Sequence, residues 1–181
     1  MVEQDDFSLV RQCLGGHARA FEKIVDKYQK TVFNVALRIV NDCQDAEDIA
    51  QTVFVKAYEN LRAYNSNYKF FSWLYRMAIN ESLNFINQRR RFEPLDSNFV
   101  AKAKTPDQKY EQTELSQNIQ DALMDLKIDY RVVIILKHLE GFNYKEISYI
   151  LDIPEKRVKS RLFTARQLLR DLLIKRGLVA E

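Results

Sequence analysis

The chain has 181 residues, enough for one large domain or two small ones. Hydrophobic residues at 46% and charged residues at 29% exclude a disordered chain, and only 4 Gly and 3 Pro among many Leu, Ile, Lys, Arg, Glu and Gln favour helix over a turn-rich sheet fold. No apolar run approaches the roughly 18–20 residues of a membrane span, and Asp5 and Asp6 stand where a secretory leader would be basic, so the expected location is the cytoplasm.

The predicted elements follow from apolar residues at three-to-four spacing. Phe7, Val10 and Leu14 form a short first stripe, ended by Gly15-Gly16. Phe21, Ile24, Val25, Tyr28, Val32, Val35, Ala36 and Ile39 line one face of a long second helix. Cys13 and Cys43 lie in apolar-periodic surroundings and read as buried small hydrophobes. Asp45, with Asp48 three residues on, reads as the N-cap of a third helix whose buried face is Ile49, Val53, Phe54, Ala57 and Leu61. Residues 62–69 form a polar, Asn-rich loop, and a further helix runs from about Phe70 to Arg91. Periodicity then fails until about Gln112, with Pro94 and Pro106 in a polar stretch. It restarts with Leu115, Ile119, Ala122, Leu123 and Leu126 and continues to the end. The expected fold is all-α: two small helical domains, residues 1–92 and 113–181, joined by a flexible linker over 93–112.

Net charge is only +3, but its distribution is uneven. Eight basic residues and two acids lie between Pro154 and Arg176, whereas five acids and one base lie between Asp42 and Glu59. Opposite signs in separate segments point to separate partners, one of them a polyanion.

The sharpest pattern is residues 143–154, Asn-Tyr-Lys-Glu-Ile-Ser-Tyr-Ile-Leu-Asp-Ile-Pro. Asn143 can cap a helix, and Glu146 can reach back to the cap's N–H. Ile147, Ile150 and Leu151 supply a buried face, Asp152-Ile153-Pro154 a tight turn, and Pro154 a start for a second helix. There Val158, Leu162, Ala165 and Leu169 share one stripe, leaving Lys156, Lys159, Ser160, Phe163, Thr164 and Gln167 on the other side. A short helix, a turn and a helix with a basic outer face make a helix-turn-helix, whose second helix can enter a DNA major groove. A lysine-rich solvated helix is the plainer alternative, and Phe163 on the outer face does not suit it.

In the helix from Phe70, Arg76, Asn80, Asn84 and Gln88 recur at i+4, a polar ridge able to hydrogen-bond base edges, and Arg89-Arg90-Arg91 follow for phosphates. Just before them come Tyr64, Tyr68, Phe70, Phe71, Trp73 and Tyr75, six aromatics in twelve residues. Aromatics beside an Asn-rich loop and a basic end suit unstacked single-stranded bases, yet Phe71, Trp73 and Tyr75 equally suit a core. His17 and His138 fall in different domains, without the spacing of a metal site, and no nucleophile–base arrangement or Gly-rich phosphate loop is present. The expectation is a protein without metal or cofactor that is not an enzyme.

Three segments carry a resemblance. Residues 45–58 (Asp-Ala-Glu-Asp-Ile-Ala-Gln-Thr-Val-Phe-Val-Lys-Ala-Tyr) resemble the polymerase-binding region 2.2 of bacterial sigma factors. Residues 71–80 resemble their promoter-melting segment, and Ile153-Pro154 with residues 158–166 resemble region 4.2. The short length, with no material between the domains, matches the extracytoplasmic-function (ECF) group of the sigma-70 family. The resemblance implies a factor that binds core RNA polymerase and directs promoter-specific initiation. Asp45, Asp48, Gln51 and Phe54 would face the clamp helices of the largest polymerase subunit, and the second domain would contact the flap of the other large subunit. Asn80 and Asn84 would read the −10 element, with Tyr64, Tyr68, Phe71, Trp73, Arg76, Arg89 and Arg90 around the opened strand. The loop from Tyr64 to Ser72 would hold a flipped base. Lys159, Ser160 and Phe163 would enter the −35 major groove, with Lys137 nearby and Lys156, Arg157 and Thr164 on or beside the reading helix. The family commonly has Gly-Thr in place of Lys156-Arg157 and often Arg in place of Thr164, so its −35 preference does not transfer. An anti-sigma factor, often membrane-anchored, is a further implied partner. The rival reading, a stand-alone helix-turn-helix regulator, leaves the Asn ridge and aromatic loop unexplained.

Overall fold

Every regular element in the computed structural model is helical among the residues it describes, 5–92 and 114–179. The linker expected over 93–112 and the side chain of Arg90 lie outside those residues. The chain divides into two compact units, residues 1–97 and 98–181.

The first unit contains α1 (Asp6–Leu14), α2 (Arg19–Val40), α3 (Cys43–Glu59), a 3-10 turn (Leu61–Ala63) and α4 (Phe70–Phe92). Helices α2, α3 and α4 pack on one another, and α1 packs on α2. Ile24, Val32, Val35, Ala36 and Ile39 from α2, Ala46, Val53 and Ala57 from α3, and Leu74, Tyr75, Ala78 and Ile79 from α4 exclude solvent almost completely. Burying these stripes, more than helix propensity, stabilises the bundle. Asn41 ends α2 in the left-handed conformation (φ 59°), which Asn tolerates better than most residues, and its N–H donates to the Leu37 carbonyl.

Helix α3 starts one turn earlier than the sequence pattern suggested. Its cap is Asp42, whose carboxylate accepts from the Asp45 N–H at 3.0 Å. Asp45 is thereby placed inside the first turn, where its charge complements the helix dipole. The cysteines also differ from expectation: Cys13 and Cys43 are half-buried thiols rather than core residues.

The second unit contains α5 (Glu114–Met124), α6 (Ile128–Ile134) running on into a π-helical turn (Ile135–Leu139), α7 (Tyr144–Leu151) and α8 (Glu155–Lys175). Helix α8 packs on α5, α6 and α7, with Leu162 and Ala165 joining Leu123, Leu126, Val133 and Ile134 in one cluster. Arg131 is the buried charge among the described residues of this unit. Its guanidinium donates to the carbonyls of Leu123 (3.0 Å), Met124 (2.7 Å) and Leu126 (3.2 Å). Leu123 and Met124 end α5 and Leu126 lies in the turn that follows; carbonyls there lack helical partners and the dipole is negative, so the cation replaces the water they would otherwise bind.

Candidate nucleic-acid interface

The turn before α8 is built as its sequence predicted. Asn143 accepts from the Glu146 N–H at 2.9 Å while Glu146 accepts from the Asn143 N–H at 3.0 Å, closing a capping box on α7. Asp152 takes the left-handed conformation (φ 55°) at the helix end, and the Ser148 hydroxyl donates to the Ile153 carbonyl at 2.6 Å. Pro154 occupies the cap position of α8, one residue before the helix proper.

Helix α8 then separates its two faces. Val158, Leu162 and Ala165 are buried, whereas Lys156, Arg157, Lys159, Ser160 and Phe163 are exposed and Thr164 is half-buried. Phe163 is 63% exposed, an apolar ring held in solvent among cations. Lys159 sits with its ammonium 5.6 Å from the centre of the Tyr144 ring, and the Lys137 ammonium lies 5.1 Å from the same ring while donating to the Phe142 carbonyl at 3.2 Å. The Tyr144 face therefore gathers two positive charges of this surface. Sequence reasoning singled out both lysines but missed Tyr144; its place directly after the capping Asn143, on the rim of the turn, was the available signal. Arg166 is turned aside, its Nε donating to His138 Nε2 at 3.0 Å. Partial burial and then the Arg166 and Lys137 charges hold the His138 imidazole below its ordinary 6.5, so it remains the neutral acceptor that this bond needs.

In the first unit the predicted residues divide between surface and core. Asn80, Asn84 and Gln88 are exposed along α4, as a base-reading ridge requires, while Arg76 is half-buried. Arg89 pairs with Asp45 at 3.1 Å, and Lys56 pairs with Glu81 at 2.7 Å, so two ion pairs join α3 to α4. Of the two readings of the aromatics, the structure places Phe70, Trp73 and Tyr75 in the core. Tyr64, Phe70 and Trp73 pack edge-to-face or tilted with ring centroids 5.3–5.6 Å apart, and the Phe71 ring lies 4.4 Å from Tyr75 and 5.6 Å from Tyr28. Tyr68 alone among the six is 41% exposed. The loop between is folded: Asn65 accepts from the Asn67 N–H, and the Tyr64 hydroxyl donates to the Tyr68 carbonyl at 2.6 Å. Beside it lies an open cavity of about 480 Å³, lined by Tyr64 and residues 66–69 of the loop, by Phe70 and Phe71 at the start of α4, and by Asp5, Asp6 and Phe7 at the start of α1. The contribution of α1 was not legible in the sequence, because it joins segments about sixty residues apart.

The outer face of α3 presents Asp48, Gln51, Thr52, Val55 and Tyr58, with Val55 58% and Tyr58 52% exposed. Phe54, which the family resemblance turned outward, is buried instead. It shares the apolar arc of Ile49, Val53 and Ala57, and that helical periodicity decided its direction. Among the described residues no cluster of His, Cys, Asp and Glu suits a metal ion, and no helix is long and apolar enough to cross a membrane.

Both units match known families. Residues 24–92 match the sigma-70 region 2 family, and residues 116–169 match sigma-70 region 4. The chain is 34% identical to the ECF RNA polymerase sigma factor SigW of Bacillus subtilis, over 91% of this chain and 94% of that protein. It is 31% identical to the RNA polymerase sigma-H factor of Pseudomonas aeruginosa, over 92% and 93% of the two chains. Among solved structures, the sigma factor RpoE of Bartonella quintana, determined with the anti-sigma factor NepR, is similar at a TM-score of 0.71 and 25% identity, covering 84% of this chain and 96% of that one.

Proposed function

This chain belongs to the extracytoplasmic-function RNA polymerase sigma factors of the sigma-70 family, and we propose that its two units divide promoter recognition between duplex reading and strand capture. In this division residues 1–92 act on polymerase and the −10 element, and residues 113–181 act on the −35 element. The observation that carries the reading is Phe163, 63% exposed on a helix whose core face is already filled by Val158, Leu162 and Ala165. Such a ring serves a partner, and on a cationic recognition helix a thymine methyl in the major groove suits it.

Lys159, Ser160, Phe163 and Thr164 read the −35 groove, while Lys137, Lys156 and Arg157 add phosphate contacts that raise affinity at low salt. Because Lys137 and Lys159 share the Tyr144 ring, they approach DNA as one cationic patch. In the first unit Asn80 and Asn84 read −10 bases, with Arg76, Arg89 and Arg90 along the strand. Tyr64, Tyr68 and Phe71 border the cavity in which a flipped base is held. Trp73 and Phe54 act through the core: the Trp73 ring packs against Tyr64, and Phe54 holds α3 in place. Asp48 and Gln51, on the same outer face as the exposed Val55 and Tyr58, meet the polymerase clamp helices, and Asp45 steadies that face through Arg89.

Trapping a flipped base offsets an unstacking cost of a few kcal/mol. Two weak DNA contacts tethered on one enzyme also raise each other's effective concentration. The factor itself catalyses no reaction and works in the cytoplasm beside its polymerase. An anti-sigma factor is the expected antagonist, as NepR is present with the similar RpoE.

The test is transcription from a genomic library by bacterial core polymerase, with and without the protein, read by 5′-end sequencing. Start sites that appear only with the protein and share two spaced elements are expected. A protein that gives no start sites yet alone retains a palindromic duplex would be a free-standing regulator instead.

A further inference from the structure

We infer that His138 is a positioning residue for the −35 surface: its neutral ring holds Arg166 away from DNA, and its protonated ring releases Arg166 to a phosphate. The inference rests on the duplex-reading role proposed above for α8. Lys159, Phe163, Arg166 and Arg170 recur at spacings of four, three and four, so they share one side of that helix, and all four are exposed. Arg166 thus belongs by register to the stripe that carries two of the residues assigned to the groove. Its guanidinium is directed instead to the π-helical turn, where Nε donates to His138 Nε2 at 3.0 Å.

That bond exists in one protonation state only. A neutral imidazole has one acceptor nitrogen, here Nε2, whereas an imidazolium has two donors and no acceptor. Protonation therefore removes the acceptor and sets two cations against each other. Three helices bear on the ring: α6 and α7 pack on its turn, and α8 reaches it through Arg166. Partial burial, then the charges of Arg166 and Lys137, hold the imidazole below its ordinary 6.5. Glu140 follows His138 by two residues, and the direction of the shift shows that burial and the cations outweigh it. The acids of α6 and α7 are engaged elsewhere, Asp129 with Arg161 at 3.5 Å and Glu146 in the capping box. Of their cations, Arg131 serves the carbonyls of Leu123, Met124 and Leu126, and Lys145 is exposed. A duplex phosphate brought to this side supplies the missing anion, so DNA binding and proton uptake favour each other.

The experiment measures promoter binding by the full chain with core polymerase, over about pH 5.5 to 8 and a range of salt, for wild type, His138→Gln, His138→Lys, Arg166→Gln and Lys159→Ala. His138 is exposed, so its replacement leaves the core untouched. Affinities are taken relative to His138→Gln, a neutral amide able to accept from Arg166, so that titration of the polymerase cancels. On that scale wild type should match His138→Gln near the top of the range and exceed it about threefold or more near the bottom. Its slope of log affinity against log salt should steepen there by about 0.9, as for one more neutralised phosphate. His138→Lys should exceed His138→Gln by a similar factor at every pH, and Arg166→Gln should show no rise although His138 is in place. Equal profiles for wild type and His138→Gln, or a full response in Arg166→Gln, overturn the role of His138, while a loss of binding in Lys159→Ala still upholds −35 reading. If Lys159→Ala and removal of the −35 duplex both leave binding unchanged, that reading fails and this inference fails with it.

Discussion

In the second unit the side chains we propose to meet DNA and those that hold the fold occupy opposite faces of α8, whereas in the first unit they are interleaved along a single aromatic run. Phe163 stands 63% exposed five residues from buried Val158, and the reading face ends where the core begins. From Tyr64 to Tyr75, by contrast, an exposed Tyr68 is followed within seven residues by buried Phe70, Trp73 and Tyr75. The difference suits the two tasks proposed for the units. A duplex reader needs only one convex helical surface, while a strand-capturing site needs a concavity, and its walls must be held from behind by the core.

The largest test of this contrast is Trp73→Ala. Removing a ring packed on Tyr64 and Phe70 should cost the first unit about 3–5 kcal/mol in denaturant unfolding, and strand opening should fail along with the fold. A variant that folds normally but cannot open promoters would make Trp73 a dedicated DNA contact and erase the contrast. Next is Arg131→Met, which leaves the carbonyls of Leu123, Met124 and Leu126 without this donor and should destabilise the second unit by about 3 kcal/mol without altering any residue of the exposed face of α8. Phe163→Ala should do the reverse. Unfolding should stay within about 0.5 kcal/mol of wild type, as for most exposed positions. Affinity for the −35 element should fall about fivefold in a binding titration; a large loss of stability would show the ring to be part of the fold after all.

The smallest effect concerns His138. Its native pKa is depressed below 6.5, so the folded unit binds this proton less readily than the unfolded chain. The resulting stability is present above pH 6.5 and is lost as pH falls from there through the native value. His138→Gln should flatten that part of the melting-temperature profile, and an unchanged profile would show that the Arg166 contact has no energetic weight.

The helix-turn-helix was legible almost residue by residue, because its determinants are local: a capping box spans three residues and a helical stripe repeats every three or four. The site in the first unit was less so. The α4 ridge of Asn80, Asn84 and Gln88 could be read from i+4 spacing alone. The fate of Trp73, Tyr75 and Phe54 could not, because an aromatic residue satisfies a core and a ligand site equally well until its neighbours are known. Asp45 shows the same limit: it matched both a cap and a polymerase contact, and the structure pairs it with Arg89, 44 residues away.

By itself, then, the sequence determined the helical class, the two-part organisation and the helix-turn-helix with its basic outer face, which rest on composition and short-range periodicity, and the resemblance that names the family, which rests on three local motifs. Only the tertiary structure decided which aromatics face solvent, that Asp42 rather than Asp45 caps α3, that Tyr144 gathers Lys137 and Lys159, and that α1 closes one side of the cavity by the loop. Those features depend on side chains brought together from distant parts of the chain, and burial of apolar surface sets such contacts without leaving a periodic signal in the order of residues.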